Sequence, residues 1–158
     1  MAKRPIVLVA EDDVTDVAFL QLAIAKANPH PRFEFVNDGV EALEYLQRAA
    51  TGSLAGEGLP AVLLLDLKMP SMNGFEVLEW LQRQPRLRPA TVAVFSSAGR
   101  WEELHRACLL GVNHYFVKPM DLAELIGIVK QSEHYCPDQG PAAAELEPGR
   151  EELVPRCR

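Results

Sequence analysis

Five short apolar runs alternate with stretches of helical periodicity along this chain, and that alternation limits the fold more than any other feature. The runs are Ile6–Ala10, Phe33–Val36, Val62–Leu65, Val92–Phe95 and Tyr115–Val117. A strand with one face in water alternates apolar and polar residues, whereas a parallel strand covered on both faces is apolar nearly throughout. Between the runs, apolar residues recur three and four apart, as on one face of a helix. Val17, Leu20, Ile24 and Ala27 mark the first such segment, which ends near Asn28-Pro29. Val40, Leu43 and Leu46 mark the second, opened by Asp38-Gly39; Phe75, Leu78 and Leu81 mark the third, from Gly74 to just before Pro85. Leu104, Ala107 and Cys108 form the fourth and close at Gly111, a helix C′ residue. The fifth starts at Asp121 as N-cap and carries Leu122, Leu125, Ile126 and Val129. The pattern predicts a (βα)5 chain. Right-handed crossovers between parallel strands make a doubly wound α/β sheet its natural packing.

At 158 residues the chain is long enough for one domain with a real core. We assign that domain to residues 1–135. Residues 49–60, "AATGSLAGEGLP", read as a flexible loop before the third strand. Residues 136–158 carry Pro137, Pro141, Pro148 and Pro155 among charged side chains and read as a mostly disordered tail, available to a dimer interface. A formal charge of −6 argues against a nucleic-acid partner, which calls for a basic stripe. No apolar stretch approaches the ~20 residues that span a bilayer, and no signal-peptide core follows Lys3 and Arg4. A cytoplasmic protein without membrane contact is expected. Three cysteines, with spacings that match no metal site, predict reduced thiols, with a bridge between copies through Cys157 as the alternative.

In an open α/β sheet, ligands bind beyond the carboxyl ends of the strands. Glu11, Asp12 and Asp13 follow the first run, Asp66 the third, Ser96 and Ser97 the fourth, and Lys118-Pro119 the fifth. Carboxylates converging on one edge repel each other unless a cation stands among them. An all-oxygen set without His or Cys suits a hard ion, Mg²⁺ before Ca²⁺. Lys118 adds a point charge and Ser96 a hydroxyl, both suited to a phosphoryl group. A carboxylate nucleophile, a metal, a lysine and a hydroxyl together describe phosphoryl transfer onto Asp66.

Five stretches now carry a resemblance: "IVLVAEDD" at 6–13, "NDGVEAL" at 37–43, "LLLDLKMPSMNGFEVL" at 63–78, "VAVFSSAG" at 92–99 and "HYFVKP" at 114–119. Together they resemble the receiver domain of bacterial two-component response regulators, over about residues 5 to 135. The full set also resembles the small stand-alone receivers paired with phytochrome-type and other sensor histidine kinases. The resemblance implies a flavodoxin-like five-stranded sheet of order 2-1-3-4-5. It implies Asp66 as phosphoacceptor, taking its phosphoryl group from the phosphohistidine of a sensor histidine kinase. It further implies Mg²⁺ (or Mn²⁺) on Asp12, Asp66 and the Lys68 backbone carbonyl, with Glu11 acting mostly through water. Ser96 and Lys118 would contact the phosphoryl oxygens, Tyr115 would be the switch aromatic, and the Lys118–Pro119 bond would be cis. Such a protein is a switch and not a turnover enzyme. It acts on an unidentified downstream protein, or serves as a phosphorelay intermediate or phosphate sink.

Three departures stand out. Glu11 replaces the commoner aspartate, Ser96 the commoner threonine, and the Lys68 side chain occupies a position where the family tunes phosphate lifetime. Asp13 reads as a helix N-terminal acid and not a ligand. A phosphatase of the haloacid-dehalogenase type would need an acid two residues after the nucleophile, where this chain has Lys68. A flavodoxin-like FMN carrier would need a phosphate loop where Glu11 and Asp12 stand. Trp80 and Trp101 read as packing against neighbouring helices, Trp101 equally as an interface residue. On the fifth helix, Glu124, Ile128 and Tyr135 fall opposite the core stripe. With Trp101 they mark an expected homodimer face across the fourth helix, fifth strand and fifth helix.

Overall fold

The computed structural model describes residues 3–54, 58–97 and 99–136. The elements run β1 (Ile6–Ala10), α1 (Val14–Ala27), β2 (Arg32–Val36), α2 (Gly39–Ala50), β3 (Val62–Leu65), α3 (Gly74–Arg83), β4 (Thr91–Ser96), α4 (Trp101–Leu109), β5 (His114–Val117) and α5 (Leu122–His134), with a 3-10 turn at Pro85–Leu87. The sheet is parallel, in the order β2-β1-β3-β4-β5. This is the doubly wound, flavodoxin-like topology expected from the apolar runs and the resemblance.

The runs are continuous in sequence because both faces of the sheet are covered. Leu8, Ala10, Leu63, Leu65, Val92, Val94 and Tyr115 point to one side, where residues of α2, α3 and α4 pack on them. Val7, Val9, Val62, Leu64, Ala93, Phe95 and Phe116 point to the other, against α1 and α5. The period-2 alternation of a strand is therefore present, but both phases are apolar. Strand β2 stands at the edge; Arg32 is exposed and the rest only half-buried, and Arg32 pairs with Glu34 along it at 3.0 Å.

Local chemistry sets the helix starts. Asp13 caps α1 by accepting from the Thr15 and Asp16 N–H groups at 2.8 and 3.0 Å, as its helix N-terminal reading requires. Asp38 accepts from Glu41 N–H at 2.9 Å, while Glu41 accepts from Asn37 N–H at 2.7 Å. Asn73 and Asp121 cap α3 and α5. Asn28 ends α1 in the left-handed region at φ 47°, and Gly111 follows α4 at φ 85°.

Several expectations are corrected. Helix α2 runs through Ala49 and Ala50, because Ala49 still faces the core, so the connection to β3 starts at Thr51 and not at 49. Among the described residues no peptide bond is cis, so Lys118–Pro119 is trans; an X–Pro bond favours trans by about 0.5–1 kcal/mol unless its surroundings override that preference. Trp80 is half-buried against the core, but Trp101 is 69% exposed. Cys136 is buried, and its thiol donates to Ser132 O at 3.7 Å. Apart from Cys136, the tail lies outside the described residues. Among the described residues no helix is long and apolar enough to cross a membrane.

Candidate functional site

The strand ladder extends one residue past the apolar runs and so fixes the backbone of the charged residues that follow. Glu11 N–H donates to Val36 O at 3.0 Å, Asp66 N–H to Ala10 O at 3.1 Å, and Lys118 N–H to Ser96 O at 2.8 Å. Register brings the ends of β1, β3, β4 and β5 to one edge, where Ala10 pairs with Leu65, Leu65 with Val94, and Ser96 with Val117. Past β3 the chain folds back tightly. Gly74 N–H bonds to Leu67 O at 3.1 Å, and Gly39 N–H to Met72 O at 3.2 Å, which ties the loop to the starts of α3 and α2. Ser71 takes the left-handed φ of 65° inside this turn.

The side chains converge. One carboxylate oxygen from each of Glu11, Asp12 and Asp66 lies within 4.8 Å of the other two. Glu11 and Asp66 are buried, while Asp12 is exposed. Asp66 accepts from Lys68 N–H at 3.3 Å, and its other oxygen is 3.4 Å from Lys118 Nζ. The Lys68 side chain points to solvent. Lys118 Nζ also pairs with Glu11 Oε2 and, at 2.8 Å, with Asp16 Oδ2. Phe95 covers the ammonium, with its ring centroid 5.6 Å from Nζ.

Burial and charge act in opposition here. Burial pushes the Glu11 carboxyl up to about 7, with the Asp66 charge adding to it; the bonds from Lys118 and Asp13 N–H recover only part of the loss. Burial alone would lower the Lys118 ammonium, but the Asp16 and Glu11 carboxylates and the charge of Asp66 outweigh it and hold its pKa above the ordinary value. Ser96 is fully buried at the end of β4, and its hydroxyl has no hydrogen-bond partner among the described residues. Tyr115 is also buried; burial and then the charge of Glu103 raise its phenol pKa.

These residues suit a hard divalent cation. The donors are all carboxylate oxygens, and Glu11 is short of stabilisation for its charge. The buried Ser96 hydroxyl is the kind of unspent donor that an anion at this edge would use.

The structure thus gathers Glu11, Asp12, Asp66 and Lys118 at one edge, with Ser96 and Tyr115 next to them. The four residues expected at a dimer face are not alike. Trp101 and Glu124 are exposed, Trp101 in a stack with His105 at 6.4 Å between ring centroids. Ile128 and Tyr135 instead pack against the core on the α1 and α5 side, a correction to their expected exposure. Ile128 sits three residues past buried Leu125, on the same helical face, and the Tyr135 ring stacks on His114 at 4.2 Å. Sequence reading missed Asp16. The available signal was its place four residues after Asp12, one turn into α1, but its partner Lys118 is 102 residues away.

Comparison with known proteins agrees with this geometry. Residues 7–130 match the family model described as the response regulator receiver domain. The chain is 33% identical over 130 residues to the probable methanogenesis regulatory protein FilR2 of Methanothrix harundinacea, covering 82% of each chain. It is 26% identical over 130 residues to the response regulator Rcp1 of Synechocystis, covering 82% of this chain and 87% of Rcp1. The Mn²⁺-bound Rcp1 structure superposes with a TM-score of 0.70 at 25% identity, over 85% of this chain and 96% of that one. The phosphorylated cyanobacterial phytochrome response regulator RcpA superposes with a TM-score of 0.73 at 28% identity, over 93% of this chain and all of its own. With its sheet order, its acidic edge and a family match over most of its length, this chain belongs to the response regulator receiver domain family.

Proposed function

We propose that this chain is a phosphorylation switch in two-component signalling, with Asp66 as the acceptor. The observation that carries the reading is the buried Asp66 carboxylate, 3.4 Å from Lys118 Nζ and within the Glu11–Asp12–Asp66 group. The donor is the phosphohistidine of a sensor histidine kinase. An Asp66 carboxylate oxygen attacks phosphorus, an O–P bond forms and the P–N bond breaks, and the imidazole nitrogen keeps the electron pair and takes up a proton. Glu11, Asp12, Asp66 and the Lys68 carbonyl would hold Mg²⁺ or Mn²⁺, and the ion would supply charge neutralisation for the phosphoryl oxygens. Lys118 moves its ammonium from the carboxylates to one phosphoryl oxygen, and the Ser96 hydroxyl donates to another. Tyr115, buried beside Ser96, transmits that movement to the α4–β5–α5 face.

Similarity to the cyanobacterial phytochrome response regulator RcpA, solved in a phosphorylated form, and to Rcp1, solved with Mn²⁺, supports this reading. Beyond accepting and losing its own phosphoryl group, the protein turns over no external substrate. It acts through protein contacts, including a homodimer through the face that carries exposed Trp101 and Glu124. A monomer by equilibrium sedimentation at micromolar concentration, phosphorylated or not, would refute the dimer. For the acceptor, the protein is incubated with acetyl phosphate and Mg²⁺, and its intact mass is read before and after hydroxylamine. One labile phosphoryl adduct is expected on the wild type and none on Asp66→Asn. The absence of an adduct on the wild type, or an unchanged adduct on the variant, would overturn the reading.

A further inference from the structure

We infer that Asp16 is the positioning residue for Lys118, the carboxylate that keeps the lysine at the edge of the site when a divalent cation occupies the other acids. The inference rests on the proposed phosphoacceptor reading and adds a residue to it. An ammonium has three N–H donors. In this structure Nζ has three carboxylates around it: Glu11, Asp16 at 2.8 Å and Asp66 at 3.4 Å. Two of them, Glu11 and Asp66, belong to the group of oxygens that fits a cation, and Asp16 does not. A dication on Glu11 and Asp66 neutralises the charges that hold Lys118 and repels the ammonium directly. With those two acids engaged, Asp16 is the remaining anion at hydrogen-bond distance among the described residues. It projects from the first turn of α1, on a backbone held by the Asp13 cap, so its place does not depend on the metal. The Lys118 side chain is 11% exposed, so water offers little substitute. Asp16 therefore gives Lys118 a fixed point from which one N–H reaches the phosphoryl group while another stays bonded.

The test is a double-mutant cycle on the intact chain with Asp16→Asn, Asp16→Glu, Lys118→Ala and the Asn/Ala double variant, using two readouts. The first is Mg²⁺ affinity by titration calorimetry without any phosphoryl donor. Asp16→Asn is expected to weaken it about threefold or more, since Lys118 then competes with the metal for Glu11 and Asp66, and to change it less than about twofold in the Lys118→Ala background. The second is the rate of Asp66 phosphorylation by acetyl phosphate at saturating Mg²⁺. A loss of about tenfold is expected for Asp16→Asn, near-wild-type rates for Asp16→Glu, and little further loss when Asp16→Asn is added to Lys118→Ala. Equal losses in both backgrounds, or a fall in thermal stability with both constants unchanged, would overturn the inference. If the wild type takes up no phosphoryl group, the acceptor reading fails, and the metal-affinity cycle still decides the role of Asp16.

Discussion

The same substitution, glycine to alanine, is expected to have opposite effects at two positions in this chain, and the difference can be worked from the geometry. At Gly74 an added Cβ would lie 2.8 Å from Leu67 Cα and 3.1 Å from the Asp66 carbonyl carbon, and closer still to the Asp66 carbonyl oxygen. Carbon atoms in favourable contact sit about 3.5–4.0 Å apart. All three neighbours are backbone atoms, so no rotamer change relieves the overlap; α3 or the loop after β3 has to move. Overpacking of this kind costs about 1–3 kcal/mol, against a gain of about 0.4–1 kcal/mol from restricting the unfolded chain. Gly127, in the middle of α5, has nothing within 4 Å of an added Cβ, so only the gain applies.

Gly74→Ala should therefore lose about 1–2 kcal/mol, and Gly127→Ala should gain about 0.5–1 kcal/mol. For a domain of this size that is a fall of about 3–8 °C in Tm and a rise of about 2–4 °C. Urea unfolding followed by circular dichroism measures both. Because the Gly74 overlap falls on the carbonyl of Asp66 itself, Gly74→Ala should also slow phosphorylation by acetyl phosphate, while Gly127→Ala should leave it unchanged. If both variants shifted stability in the same direction, or if Gly74→Ala were as stable as the wild type, the close approach of α3 to the acceptor loop would not constrain the fold as argued.

Other perturbations follow from the charges. The Glu11 carboxyl is raised to about 7 from an unfolded value of 4.5, so its contribution to metal-free stability is best below pH 4.5, where both states are protonated. It worsens as pH rises to about 7. The stability of Glu11→Gln relative to wild type in chelator should grow over that window by up to about 3 kcal/mol, and a constant difference would refute the burial account. Mg²⁺ at a hundredfold excess over its dissociation constant should add about 2.7 kcal/mol to wild-type stability, an effect that EDTA reverses and that Asp66→Asn reduces, as read by thermal unfolding. Leu64→Ala, in a fully buried strand position, should cost about 2–5 kcal/mol. Little loss in urea unfolding would show that the core on that side is loosely packed.

Much of the fold was legible because its signals are local. The continuous run at Val62–Leu65 already says that both faces of the strand are covered, and Asp13, Asp38 and Asp121 announce the helices they cap. The stretch from Leu63 to Gly74 also carries its own turn chemistry, so an acid at a strand end and a sharp return into α3 can be read from it directly. Where local periodicity was pressed further it failed. Ile128 and Tyr135 seemed to lie off the core stripe of α5, but the sheet and the ring of His114 take in a wider arc of that helix than its most buried residues mark.

Sequence alone determined the alternation of elements, their caps and the set of acids, serine and lysine at the strand ends, because each depends on neighbours within a few residues. Tertiary structure decided which of those groups touch. It brought Asp16 to Lys118 across 102 residues, drew Lys118 toward Glu11 as well as Asp66, and buried the Ser96 hydroxyl at the end of β4. The physical reason is that ion pairing and desolvation depend on distance in space and on the exclusion of water, and neither exists until β1, β3, β4, β5 and α1 have packed together.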